Sequence, residues 1–185
     1  MADNASFFHD TREPMFVSNL AAITLATTLK ALYTASNFPV IGGQYFARPG
    51  KKVKIRLFGS LSTGLTPGNG VWSVLYGTGA DANGVVLASS AAHALIASQT
   101  NISFEVEVTI RCITTGNTGT LEVTGRVIYN AAVVATFVQM IPASAAAPSA
   151  ACDLTAALIL SIQFSRSGST AETIAITDLD IHALN

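Results

Sequence analysis

From about residue 23 onward, apolar and polar residues alternate in short runs. In "KKVKIRLFGSLST", Val53, Ile55 and Leu57 share one parity, and Lys52, Lys54 and Arg56 share the other. "FEVEVTIRC" sets Phe104, Val106, Val108, Ile110 and Cys112 against Glu105, Glu107, Thr109 and Arg111. "TLEVTGRVIY" sets Leu121, Val123 and Val127 against Glu122, Thr124 and Arg126. Strand side chains point alternately to two faces, so each run predicts a strand with one buried and one solvated side. "GVWSVLYGTG", "VVATFVQMI", "ALILSIQFSRSG" and "ETIAITDLDIHAL" are β-branched or aromatic runs of the same kind, and "AITLATTLKALYTA" is a Thr/Leu-rich one. "VVLASSAAHALI" suits a helix or a strand. "TPGNG", "GADANG" and "TGNTGT" are turn clusters between the runs.

The series amounts to roughly eight to ten strands with no long helical period, the signature of a sandwich or barrel. The fold expected is all-β: an antiparallel β-sandwich of jelly-roll type, occupying residues 23–185. An immunoglobulin-like sandwich fits the length less well, and no repeat period indicates a propeller or solenoid. Residues 1–22 lack a clean period. They read as an extended arm with aromatic anchors at Phe7, Phe8 and Phe16 and a cation at Arg12.

Composition sharpens this picture. The 185 residues are 50% hydrophobic and only 11% charged, against roughly 25% charged in an average soluble domain. Mean hydropathy is +0.47. A surface so poor in charge suits a chain that hides much of itself in an assembly. The net charge of −1 argues against a dedicated nucleic-acid-binding domain. Cys112 has core parity, Cys152 lies in an Ala/Ser/Pro-rich stretch, and both are expected to stay reduced. The N-terminus has no secretion-signal pattern. The uncharged stretch Val127–Cys152 is interrupted by Asn130, Gln139, Pro142 and Pro148, so no membrane span is expected.

Five of the ten basic residues, Arg48, Lys51, Lys52, Lys54 and Arg56, crowd into "RPGKKVKIRLFG". Three readings are open. Lys52, Lys54 and Arg56 could pair with Glu105, Glu107 and Glu122 on neighbouring strands; they could meet an acidic partner surface; or they could bind nucleic acid. The last is disfavoured because no aromatic interleaves with the bases on that face. "TDLDIH" puts Asp178, Asp180 and His182 on one strand face, a weak metal pattern. His93, in an Ala run, reads as structural. "GTGADANG" lacks the Lys-Ser/Thr ending of a phosphate loop and reads as a turn. No nucleophile–base–acid set emerges, so no catalytic residue, metal or cofactor is expected. Trp72 and Tyr76 share parity in "VWSVLYG" and are the best aromatic pair for an alternative, carbohydrate-binding role.

Three stretches, "FPVIGGQYFARPGKKVKIRLFGSLSTGLTPGN", "YGTGADANGVVLASSAAHALIASQTNISFEVEVTIRC" and "SIQFSRSGSTAETIAITDLDIHALN", together resemble virion structural proteins of tailed bacteriophages and their prophages. The resemblance spans roughly residues 23–185. It implies a jelly-roll module on the particle: a non-enzymatic head decoration (cement) protein, usually trimeric, that binds the major capsid protein in the assembled head. It implies no active site. The localisation expected is the virion surface, after synthesis in the host cytoplasm, without nucleic-acid or membrane partners. The alternative is a tail or tail-fibre component with a receptor-binding sandwich. Docking would use the arm (Phe7, Phe8, Arg12, Phe16) and the basic strand (Lys52, Lys54, Arg56).

Overall fold

In the computed structural model the described residues are 15–18 (backbone), 20–33, 40–43, 45–130 and 138–184. They form two antiparallel sheets and contain no helix. The larger sheet runs in the order β1 (Met15–Ser18), β12 (Thr173–Leu184), β4 (Lys52–Ser62), β8 (Ile102–Thr114), β9 (Thr120–Tyr129), β10 (Val138–Ile141), and β2 (Ile23–Thr24) also pairs with β12. The smaller runs β3 (Lys30–Ala31), β11 (Ile159–Arg166), β5 (Asn69–Gly77), β6 (Val85–Ser89), with β7 (His93–Ala94) beside β5. Among the described strands the chain crosses between the sheets six times, at β2/β3, β3/β4, β4/β5, β7/β8, β10/β11 and β11/β12. Because β4 lies beside β12 and β5 beside β11, these four strands form a ribbon folded over both sheets, which makes the sandwich jelly-roll in type.

The core is what the alternation predicts. Val53, Ile55 and Leu57, Val106, Val108 and Ile110, and Leu121, Val123 and Val127 are buried between the sheets. Facing them from the small sheet are Trp72, Val74 and Tyr76, and Leu160, Ile162 and Phe164. In β12 the inward parity changes, from Ile174 and Ile176 to Leu179 and Ile181. A bulge between Ile176 and Asp178 inserts the extra residue, so both halves of the strand keep their apolar side inward.

The two sheets differ on their outer sides. The outer side of the small sheet is covered, and Ser73, Leu75, Ser161 and Gln163 are buried there. The "GTGADANG" segment folds back over it as a clasp. Ala82 N donates to Gln163 Oε1 at 2.9 Å, and Gln163 Nε2 donates to Ala80 O at 3.0 Å. Asp81 accepts from Lys30 Nζ at 2.5 Å and from Ala31 N at 2.9 Å. At Gly84, φ is +130°, and a Cβ would lie 2.6 Å from Tyr76 O, so only glycine fits this turn. On the outer side of the large sheet the outward side chains of β4 and β8 are half-buried or exposed.

Two segments differ from expectation. "AITLATTLKALYTA" supplies only the two-residue strands β2 and β3. It bridges the sheets: Leu25 N bonds to Glu172 O, just ahead of β12 in the large one, and Leu32 N to Ile162 O of the small one. Its hydrogen bonds are shared between two ladders, and no long strand can form. "VVLASSAAHALI" resolves as strand, giving β6 and β7. Within the sequence-defined arm, Met15–Ser18 pairs antiparallel with Ile181–Asp178 as an edge strand. Phe7, Phe8 and Arg12 lie outside the described residues, as does the side chain of Phe16.

At the end of β11, Arg166 forms an ion pair with Glu172, whose side chain is 0% exposed. Thr170 Oγ1 donates to the other carboxylate oxygen at 2.6 Å. Removing one partner of a buried pair strands the other charge away from water. Glu172→Ala is expected to destabilise the chain by about 3 kcal/mol, read by urea unfolding. A change below about 0.5 kcal/mol would refute this role.

Candidate functional site

Register brings the outward residues of β12, β4, β8 and β9 into cross-strand rows. One row reads Asp180, Arg56, Glu107, Arg126, with alternating sign. Arg56 Nη2 bonds to Glu105 Oε1 at 2.8 Å, and Arg56 Nε lies 3.4 Å from Glu107. Lys54 Nζ is 2.9 Å from Glu107, and Arg111 is 2.7 Å from Glu122. The Lys54 ammonium holds the Glu107 carboxyl below the usual range against a smaller opposing effect of desolvation, with Arg126 and Arg56 assisting. Lys54 and Arg56 thus meet acids of their own sheet. Lys52 stands opposite Arg111 on β8, beyond that pairing.

The next row reads Asp178, Phe58, Glu105, Ile128, Val138. Around its middle lies an open depression of about 350 Å³, lined by Phe58, Ser103, Glu105, Ile128 and Asn130, with Phe104 and Tyr129 beneath. The Arg56 guanidinium sits 5.2 Å from the centre of the Phe58 ring. Asn130 N donates to Ser103 O at 3.0 Å, closing the corner where β9 ends.

Phe58 corrects the expectation that no aromatic interleaves with the bases: it shares the outward parity of Lys54 and Arg56. Sequence reasoning passed over it, although an aromatic on the polar parity of an alternating strand was the visible signal.

Trp72 and Tyr76 also need correction. Both are buried, at 0% and 1% exposure, and neither can face a ligand. Trp72 packs edge-on against Phe164 at 4.8 Å and against Phe104 at 5.1 Å, while Tyr76 Oη donates to Ala156 O at 3.2 Å. The Trp72 indole N–H donates to Tyr129 Oη. Tyr129 Oη and His93 Nε2 are 2.6 Å apart, and His93 Nδ1 faces Ala91 O at 3.3 Å. With Nδ1 carrying the proton, Nε2 accepts from the tyrosine and every polar atom of this chain has a partner.

Asp180 accepts from His182 Nε2 at 2.8 Å, so these two residues of the "TDLDIH" pattern bond to each other. Among the described residues no three His, Cys, Asp or Glu side chains gather as a metal site would require. Cys112 and Cys152 are free and buried, and burial pushes both thiols up, disfavouring the thiolate.

No protein-family model matches the chain, and no curated protein matches it in sequence. Among solved structures it is similar to the metal-free form of lectin I-B4 from Griffonia simplicifolia, at 11% identity, over 98% of each chain and with a TM-score of 0.43. A second structure, described as cell entry of botulinum neurotoxin type C dependent upon interaction with two ganglioside molecules, matches at 9% identity, over 97% of this chain but 50% of that one, with a TM-score of 0.29. Likenesses this distant carry no argument about ligands.

Burial lowers the His93 pKa, against a smaller opposing effect of the Ala91 carbonyl. A base whose folded pKa lies below its unfolded value binds protons more readily when unfolded. The His93 contribution is therefore fully present above about pH 6.5 and is lost as pH falls toward the folded pKa. Unfolding free energy is expected to drop between pH 7 and 5, and His93→Gln should flatten that slope; an unchanged slope would refute the assignment. For the outer face, Glu105→Gln combined with Glu107→Gln is expected to lower the melting temperature by about 2 °C. High salt should shrink the difference, because it screens exposed pairs. A drop that salt leaves untouched would mean that these pairs do not act through charge.

Proposed function

We propose that the chain is a non-enzymatic structural protein of a tailed-phage particle, a head decoration protein that binds the assembled head and reinforces it as a trimer. The observation that carries this reading is the uncharged edge strand β10. It ends the large sheet with Val138 and Met140 turned outward, Met140 at 59% exposure. Exposed, uncharged edges invite pairing and association unless something covers them. A neighbouring subunit in an assembly is such a cover. The resemblance of residues 23–185 to virion structural proteins supports the same reading.

The charges on the outer face fit it as well. Lys54, Arg56 and Arg111 are engaged by Glu105, Glu107 and Glu122, so the basic strand offers little free charge to a capsid acid or to a phosphate backbone. Attachment then falls to apolar contacts and to residues 1–14, which carry Phe7, Phe8 and Arg12 ahead of β1. Binding only the assembled head stabilises it by mass action. A second reading, a tail component with a receptor-binding sandwich, is favoured by the depression beside Phe58, not by Trp72 and Tyr76.

The test is co-sedimentation with purified heads of the phage that encodes the chain. The full chain should sediment with heads and run as a trimer on its own. A chain lacking residues 1–14 keeps β1; it should melt at the same temperature but remain in the supernatant. Full-length protein that stays in solution would overturn the decoration reading. Retained binding by the shortened chain would overturn the docking role of the arm.

A further inference from the structure

We infer that the depression on the outer face of the large sheet is a binding site for a neutral sugar residue. The ring's apolar face would lie on Phe58, with its hydroxyls hydrogen-bonded to Glu105, Ser103 and Asn130 and Ile128 closing the far side. Phe58, Glu105 and Ile128 are direct cross-strand neighbours on β4, β8 and β9. Ser103 and Asn130 flank them two residues along. Two apolar side chains, Phe58 and Ile128, therefore stand on either side of the Glu105 carboxylate, with a hydroxyl and an amide along one side. A sugar presents the same combination: C–H groups on a ring face and hydroxyls around its edge. The volume of about 350 Å³ lies at the lower end of small-ligand sites, about 300–1,000 Å³.

Charge selects the class. Glu105 lines the depression, so an anionic ligand would meet a carboxylate there. A cation would find Glu105 already paired, since Arg56 Nη2 bonds its Oε1 at 2.8 Å. That bond occupies one carboxylate oxygen and leaves the other to accept from a ligand hydroxyl. A hydrogen bond to a charged acceptor is stronger than a neutral one. Arg56 also lies against the Phe58 ring, so one side chain fixes both the carboxylate and the aromatic platform. The site is built on strands, and Tyr129 beneath it is held by Trp72 and His93. Little ordering is left to be done on binding.

The site is independent of where on a particle the chain resides, and the test uses the isolated full chain. Uniformly ¹⁵N-labelled protein is titrated separately with glucose, galactose, mannose and N-acetylglucosamine, and with inorganic phosphate as the anionic control. At least one sugar should shift the amides of residues 103–105 and 128–130, with a Kd of about 1–10 mM. Phosphate should leave them unmoved. Phe58→Ala should weaken binding about tenfold, equivalent to about 1.4 kcal/mol, while Phe58→Tyr retains it. Glu105→Gln, which keeps the shape, should weaken it with the fold intact by melting temperature. The inference is overturned if none of the four sugars moves these amides, or if phosphate moves them more strongly than any sugar. Because no particle is present, either outcome leaves head attachment to be judged by sedimentation alone.

Discussion

The hydrogen bond from the Trp72 indole to the Tyr129 hydroxyl joins the two sheets inside an aromatic cluster of the core. Trp72 belongs to the small sheet and Tyr129 to the large one, and Phe104 and Phe164 fill the space around them. An indole N–H or phenol O–H buried without a partner costs more than a made bond returns. Here His93 takes the far side of the tyrosine hydroxyl, so the whole chain of polar atoms is satisfied in one register only. A one-residue slip of β9 would turn Tyr129 outward and Ile128 inward. The bond that locks the core thereby also decides that Ile128 and Asn130 face solvent, beside Phe58 and Glu105. The surface depression is a consequence of the core register.

The second organising fact is the asymmetry between the sheets. The small sheet is covered on its outer side around Gln163, because the residue 77–84 clasp lies across it there. On the outer side of the large sheet the outward side chains of β4 and β8 are half-buried or exposed, and the chain places its scarce charge there. That charge is spent largely on itself: Arg56 reaches both Glu105 and Glu107, and Arg111 reaches Glu122. Such exposed pairs add little stability, but they fix which residues lie opposite each other and remove the long-range field a charged partner would need. Recognition on this face must work at short range, through shape, apolar contact and hydrogen bonding.

Much of this was legible in the sequence wherever one side of a strand is wet. Strands β4, β8 and β9 could be read residue by residue, with Val53, Val106 and Val123 inward and Lys54, Glu107 and Glu122 outward. Legibility failed where a strand is dry on both sides. In β5 parity correctly put Trp72 and Tyr76 together, but Ser73 and Leu75 on the opposite side are buried as well, so parity could not say which side met solvent. It failed again where structure depends on distant partners. "GTGADANG" could be read as a turn, yet its role as a clasp depends on Gln163, far along the chain. "AITLATTLKALYTA" looked like a strand because its composition is right; its hydrogen bonds divide between Glu172, just ahead of β12 in one sheet, and Ile162 of the other, which no local pattern encodes. Phe58 is legible as well, as an aromatic on the polar parity of β4, among basic residues that make the strand look purely charged.

Those basic residues and Phe58 are one device. A lone carboxylate on an open strand face would bind cations and repel most other things. Beside Arg56, Glu105 becomes a fixed, half-occupied acceptor, and Phe58 becomes an aromatic surface with the guanidinium at 5.2 Å from its centre. The same pairing that withdraws the strand from phosphate recognition prepares the face for an uncharged, hydroxyl-rich partner. On this β-sandwich the outer face of the large sheet carries the depression, and the edge strand β10 beside it is uncharged and exposes Val138 and Met140. The two surfaces lie side by side, since Val138 of β10 continues the row that contains Ile128, Glu105 and Phe58.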